Sequence, residues 1–221
     1  LILDAAEQAK RAGCSLAVFP ELSLVGYPPK DLLERPAFIK ENLKALEGLA
    51  SKNHGIHILC GYVDRNPRST GKALTNSVAL IKDGEILKKG GKKLLPTYDV
   101  FDETRYFEPA SQSLTFQLQE KRVAVTVCED IWNVGDAEGV PRYALDPAEA
   151  LAQQGMDIFV NISASPYTLN KRAVRQKILE TMSTHYRVPT LYCNQVGGND
   201  DLLFDGASMV VDRSGRLILQ G

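Results

Sequence analysis

Apolar positions along this chain follow two periods, one helical and one extended. Leu1 to Gly13 carries apolar residues at helical spacing and ends on glycine, which predicts a helix. Leu16 to Phe19 reads as a short buried strand. Pro36 opens a helix to about Asn53, with Phe38, Ile39, Leu43, Leu46, Leu49 and Ala50 on one face. Ile56 to Val63 is a second strand, and Ala73 to Ile81 with Glu85 to Lys88 forms a hairpin around Asp83-Gly84. Leu114 to Leu118 is a strand, and in the next one Val123, Val125 and Val127 alternate with Ala124 and Thr126. A Gly- and Pro-containing loop is expected from Trp132 to Tyr143. Asp146-Pro147 then starts a helix to Gln154, and Asp157 to Ile162 is a further buried strand. Asn170 is placed to cap a helix to Arg187, with Val174, Ile178 and Met182 as its core stripe. Pro189 to Gln195 is a strand and Gly197-Gly198-Asn199 a turn. Ala207 to Asp212 and Arg216 to Leu219 close the chain as a hairpin around Ser214-Gly215. Strands and helices alternate, with no repeat and no linker, which predicts one α/β domain.

Composition narrows the partners. The 221 residues carry a formal net charge of -1, which offers no electrostatic argument for nucleic acid or an anionic membrane. No apolar run approaches the ~18 residues of a membrane span. Cys14, Cys60, Cys128 and Cys193 are scattered, and Cys60 and Cys193 fall in apolar runs that read as core. That is not a disulfide framework and suits a reducing cytoplasm. His54 and His57 bracket a loop-to-strand junction without a third ligand nearby, so no metal site is expected. The chain opens at Leu1 inside an amphipathic pattern and stops at Gly221 after a strand-like run; it is expected to be a fragment of a longer protein.

Candidate chemistry gathers where strands end. Glu21, Lys92, Cys128 and Ser165 each sit just past one, and ligands of open α/β sheets bind beyond the carboxyl ends of strands. The set suffices for acyl transfer. Cysteine attacks a carbonyl, glutamate moves the protons, and lysine stabilises the oxyanion. Lysine also counters Glu129 and Asp130, whose charges would raise the thiol's pKa. Tyr98, Phe101, Asp102, Glu103 and Phe107 belong to a long acidic-aromatic loop, a kind more often functional than idle. None of the three histidines follows a strand in this way, so a Cys-His dyad finds little support. The G-x-x-x-x-G-K-[ST] and G-x-G-x-x-G phosphate signatures are absent.

The segments F-P-E-L-x-L-x-G-Y, K-x-x-L-P-T-Y-x-x-F-x-E and V-x-V-C-E-D-x-W resemble the three catalytic blocks of the nitrilase (carbon–nitrogen hydrolase) superfamily. N-x-S-A-S-P-Y and Y-x-N-Q-V-G-G-N-D-x-L-x-F-D-G-x-S narrow the resemblance to the glutamine amidotransferase domains of bacterial glutamine-dependent NAD+ synthetases. The resemblance implies a four-layer αββα sandwich. It implies hydrolysis of L-glutamine to glutamate and ammonia through a cysteine thioester, with Glu21 as general base, Lys92 as catalytic lysine and Cys128 as nucleophile. Lys92 is preferred to Lys93 because the family's lysine stands four residues before the proline, here Pro96. Glu103 matches a second glutamate near that lysine. Tyr27, Tyr98, Phe101, Glu129 and Trp132 match positions lining the substrate pocket. Ser165 and Lys171 match positions that hold the α-amino and α-carboxylate groups; the family often has arginine at the latter, which grips a carboxylate more specifically. The domain itself needs no cofactor. ATP and Mg2+ belong to a covalently linked C-terminal synthetase domain after Gly221, and the first strand of the usual domain would precede Leu1. Homo-oligomerisation is implied as well. Two alternatives stay open: a free-standing amidase of the same superfamily acting on another small amide, and a catalytically silent α/β module.

Overall fold

In the computed structural model, which describes residues 1–133 and 142–221, the chain divides into two compact units, 1–112 and 113–221. The expected loop between Trp132 and Tyr143 lies outside the described residues except at its two ends.

The first unit is a four-stranded sheet with two helices. The strands are β1 (Leu16–Val18), β2 (His57–Arg65), β3 (Leu74–Lys82) and β4 (Glu85–Gly91), side by side in that order. β1 and β2 run parallel, and β2–β3 and β3–β4 run antiparallel. The helices are α1 (Ile2–Arg11) and α2 (Pro36–Lys52). Pro36 stands in the first turn of α2, where its missing N–H costs nothing. Ala6 of α1 and Leu46, Leu49 and Ala50 of α2 pack with Ile58, Cys60, Tyr62, Ala79 and Ile81 of the sheet. β4 runs past the expected end at Lys88 to Gly91, because the ladder continues through Val78 with Gly90 and Ser77 with Gly91. Lys92 is thus the first residue beyond a strand.

The second unit holds a six-stranded sheet. Its strands are β5 (Leu114–Leu118), β6 (Lys121–Val127), β7 (Ile158–Ser163), β8 (Thr190–Asn194), β11 (Met209–Val211) and β12 (Leu217–Gln220). They lie in the order β12-β11-β8-β7-β6-β5. β6, β7 and β8 are parallel neighbours, and their near-continuous apolar sequences follow from burial on both faces. α3 (Pro147–Ala152) and α4 (Lys171–Tyr186) pack Leu151, Leu179 and Met182 against Ala124, Phe159, Tyr192 and Met209. Asp146 caps α3, its Oδ1 accepting from the Ala148 and Glu149 N–H groups at 3.0 and 3.1 Å.

Three sequence expectations in this unit are corrected. The core face of α4 is Arg175, Leu179, Met182 and Ser183, whereas Val174 is exposed. The face is turned by Arg175, whose guanidinium reaches the Asp205 carboxylate at 2.6 Å and the Gly206 carbonyl at 3.2 Å. Asn170 occupies the N-cap of α4 but makes no side-chain capping bond; its backbone is left-handed, with φ of 67°. Gly197-Gly198-Asn199 is part of a strand, β9 (Val196–Asn199), which pairs with β10 (Leu202–Asp205). The turn falls instead where Asp200 takes a φ of 51°, a conformation that short polar side chains tolerate.

One packing point in the first unit places Glu21. A Cβ on Gly61 of β2 would stand 2.3 Å from the Leu22 nitrogen and 2.5 Å from the Pro20 carbonyl oxygen. The segment after β1 therefore lies directly on the strand, tied by Phe19 N–H to Leu59 O at 2.9 Å and Leu24 N–H to Gly61 O at 3.2 Å. Backbone on backbone cannot yield as a flexible side chain can. Gly61→Ala is expected to destabilise the protein by about 1–3 kcal/mol through overpacking. Gly48→Ala, inside α2 with open space at its Cβ, is expected to stabilise by about 0.5–1 kcal/mol. Urea midpoints of the two variants are expected to move in opposite directions.

Candidate active site

The first unit encloses a charged cluster. Lys92 is fully buried, and its Nζ donates to Glu21 Oε1 at 2.8 Å and to Glu103 Oε1 at 2.6 Å. Both carboxylates are buried too. Asn76 of β3 donates from Nδ2 to Glu21 Oε1 at 2.6 Å and, more weakly, to Glu103 Oε2 at 3.5 Å. The Tyr27 hydroxyl donates to Glu103 Oε1 at 2.8 Å. One cation facing two carboxylates cannot satisfy both charges. Burial pushes the Glu103 carboxyl up to about 7; Lys92 opposes that rise and the Glu21 carboxylate adds to it. A cavity of about 240 Å³ adjoins the cluster, lined by Tyr27, Pro29, Leu33, Val100, Glu103 and Tyr106 among others.

The second unit presents the thiol. Cys128 follows Val127, the last residue of β6, and opens a 3-10 turn, Cys128–Ile131. Its φ is 43°, a left-handed conformation that costs a residue with a Cβ on the order of 1–3 kcal/mol unless its surroundings impose it. They do so from two sides. Asp130 Oδ2 accepts from the Val127 N–H at 3.0 Å, and Asn161 Nδ2 donates to the Cys128 carbonyl at 3.4 Å. Asn161 is in turn fixed by Ser163 Oγ at 2.7 Å and Thr126 Oγ1 at 3.1 Å. The other cysteines lack such a setting. Burial pushes the Cys60 thiol up to about 11 and the Cys193 thiol up to about 12, and Cys14 is exposed.

The substrate-pocket candidates fall into the same two sets. Glu103 and Tyr27 join the Lys92 cluster, and the Phe101 ring lies 6.4 Å from Tyr27 and 5.7 Å from Tyr98. Lys93, the alternative lysine, reaches the Ser111 carbonyl. In the second unit, buried Glu129 accepts from the Tyr143 hydroxyl at 2.8 Å, with Arg142 3.8 Å away. The Lys171 ammonium stands 4.5 Å over the Trp132 ring, a cation–π contact. Ser165 is held by Asn194, which accepts from its N–H at 2.8 Å and donates to its carbonyl at 3.2 Å. Glu129 and Asp130 thus have partners within their own unit, which the sequence analysis did not foresee. Asn76, Asn161 and Asn194 did not stand out in the sequence either. Their signal was present: each is an amide within a strand of mostly apolar residues, and a buried amide needs bonding partners. Among the described residues, no group of His, Cys, Asp and Glu side chains could hold a metal ion, and no helix is long and apolar enough to cross a membrane.

The carbon–nitrogen hydrolase family model matches residues 1–221. The chain is 44% identical over 221 residues to the glutamine-dependent NAD(+) synthetase of Synechocystis sp. and 41% identical over 222 residues to that of Thermotoga maritima. Those matches take in 98% and 99% of the chain but 40% and 36% of the relatives, so the chain spans about two fifths of the length of the curated relatives it matches. Among solved structures, the glutamine-dependent NAD+ synthetase of Acinetobacter baumannii superposes with a TM-score of 0.88 at 35% identity, over 99% of this chain and 39% of that one. An amidase from Nesterenkonia sp. superposes over 100% of this chain and 78% of that one, with a TM-score of 0.80 at 22% identity, a likeness of fold. The α/β class and nitrilase fold expected from the sequence motifs are those of these structures.

The raised Glu103 pKa has a consequence for stability. Its folded value, about 7, lies above the ordinary 4.5, so the folded state holds a proton that the unfolded state releases between those values. The associated stability is fully present below about pH 4.5 and lost as pH rises through about 7. Glu103→Gln, which cannot titrate, is expected to flatten the pH dependence of stability across this window by up to about 3 kcal/mol. Denaturant titrations at pH 5, 6, 7 and 8 measure it; parallel profiles for wild type and variant contradict it.

Proposed function

We propose that this chain, which belongs to the carbon–nitrogen hydrolase family, hydrolyses the side-chain amide of L-glutamine to L-glutamate and ammonia. The observation that carries the reading is the wholly buried Lys92 bonded to two carboxylates. A buried ion cluster is a poor way to stabilise a fold, and its presence points to chemistry. The left-handed Cys128 at the end of β6 supports the reading, as do relatives named glutamine-dependent NAD(+) synthetase at 44% and 41% identity.

In the proposed sequence, Cys128 Sγ attacks the amide carbon while Glu21 takes the thiol proton. Lys92 stabilises the oxyanion of the tetrahedral intermediate. Collapse breaks the carbon–nitrogen bond, and Glu21 returns the proton to the departing ammonia. Water, deprotonated by Glu21, then attacks the thioester, releasing glutamate and restoring the thiol. One glutamine and one water become one glutamate and one ammonia. Side chains and water suffice for every step, so the domain is proposed to work without a cofactor. Glu103 is assigned to hold Lys92 in place, accepting from its Nζ at 2.6 Å. Tyr27, Tyr98, Phe101, Glu129 and Trp132 are assigned to the substrate pocket, Ser165 and Lys171 to its α-amino and α-carboxylate ends.

The chain is proposed to be the glutaminase domain of a longer cytoplasmic protein. A covalently linked synthetase domain, using ATP and Mg2+, would pass the ammonia to an adenylated deamido-NAD+. Homo-oligomerisation is part of the same proposal.

Glutamate release by the full-length protein tests the reading. Cys128→Ala is expected to abolish it. Glu21→Gln keeps the shape but not the basicity, and is expected to lose on the order of 10²–10⁴-fold in rate. Undiminished release from Cys128→Ala removes the assignment. Hydrolysis of acetamide but not of glutamine by the wild type replaces it with the free-standing amidase.

A further inference from the structure

We infer that Asn76 is a positioning residue that decides which of the two buried carboxylates, Glu21 or Glu103, carries the negative charge. The inference rests on Glu21 being the general base and goes one step beyond that reading. Lys92 does not make the choice, since its Nζ sits 2.8 Å from one carboxylate and 2.6 Å from the other. Tyr27 is no help to Glu21 either; its hydroxyl donates to Glu103. Lys92 and Tyr27 are titratable groups bonded to this pair within the unit, and Tyr27 adds its donor to Glu103 alone. A base at Glu21 needs the charge on Glu21 instead.

Asn76 breaks the near-symmetry. Its Nδ2 is 2.6 Å from Glu21 Oε1 but 3.5 Å from Glu103 Oε2. An N–H donor at the shorter distance stabilises the ionised form of its acceptor, so the charge settles on Glu21 and the proton on Glu103. Two further features show that the amide serves the carboxylates rather than the strand. Its Oδ1, fully buried, has no hydrogen-bond partner among the described residues, so only the donor end is used. Turned over, the amide would set Oδ1 against Glu21 Oε1, two acceptors in contact unless Glu21 were protonated. The Asn76 backbone meanwhile accepts from the Lys92 N–H at 2.8 Å, so one residue of β3 locates both members of the pair.

The pH profile of kcat/KM for glutamine hydrolysis, measured on the full-length protein, is the test. Asn76→Ala removes the donor, and Asn76→Asp puts a third carboxyl in its place. Both are expected to lower kcat at least about tenfold with KM within about threefold, and to move the acid limb up by about one pH unit or more. Asn76→Ser, which keeps a hydroxyl donor on a shorter arm, is expected to fall between wild type and Asn76→Ala. An acid limb that stays in place in the variants that fold overturns the proposal. So does failure of all three to fold, which would make Asn76 a stability residue. Glu21→Gln, run beside them, separates the two readings: full activity there removes Glu21 as the base, whereas an inactive Glu21→Gln with unshifted Asn76 variants removes only the role of Asn76.

Discussion

The first unit is arranged around one lysine that cannot reach water. Lys92 is fully buried between Glu21 and Glu103, and taking an ammonium and a carboxylate out of water costs several kcal/mol per ion before their attraction is counted. The surrounding structure meets that cost with geometry. β4 continues to Gly91 so that Lys92 emerges directly beside β3, and Gly61 lets the Glu21 segment lie on the β2 backbone. Asn76 and Tyr27 add neutral donors, one to each carboxyl group.

The second unit stores its cost differently. Cys128 carries backbone strain instead of charge, and the strain persists because both sides of the residue are tied. Asp130 closes the turn from within, and Asn161 holds the carbonyl from the neighbouring parallel strand. Asn161 could not do this from an apolar strand without the bonds from Ser163 and to Thr126 that lock its own amide. A strained residue and a buried ion cluster are both departures from what local folding prefers. Such departures gather at functional sites.

One lysine faces two carboxyl groups, and burial drives the Glu103 carboxyl to hold its proton to higher pH than usual, with the Glu21 carboxylate adding to the rise. That leaves Glu103 near the middle of its titration at neutral pH, as its value of about 7 indicates. In the proposed reaction, the base and the oxyanion donor are then distinct groups held in one hydrogen-bonded frame.

Much of this was legible in the sequence, and the reason is periodicity. The helices from Ile2 and from Pro36 and the strands around Ala17, Ile58, Val125 and Val160 declare themselves by which positions are apolar; Glu21 stands just past the first of these strands and Cys128 at the end of the third, while Lys92 follows β4, which runs to Gly91. Periodicity says that a side chain is buried; it does not say against what. The face of α4 was misread because Arg175 looks like a solvent residue until Asp205 and Gly206, far along the chain, supply its partners. The β9–β10 pair was hidden because its glycines read as a turn, and only pairing with Leu202–Asp205 makes them a strand. Asn76, Asn161 and Asn194 are ordinary polar letters in the sequence. Their roles come from residues 12 to 55 positions away, brought within 3.5 Å by the sheets. The sequence by itself determined most of the elements and the candidate residues at their ends. The tertiary structure alone decided which neutral amides hold those residues and how their charge is shared, because such contacts are made between strands and leave no period along a single one.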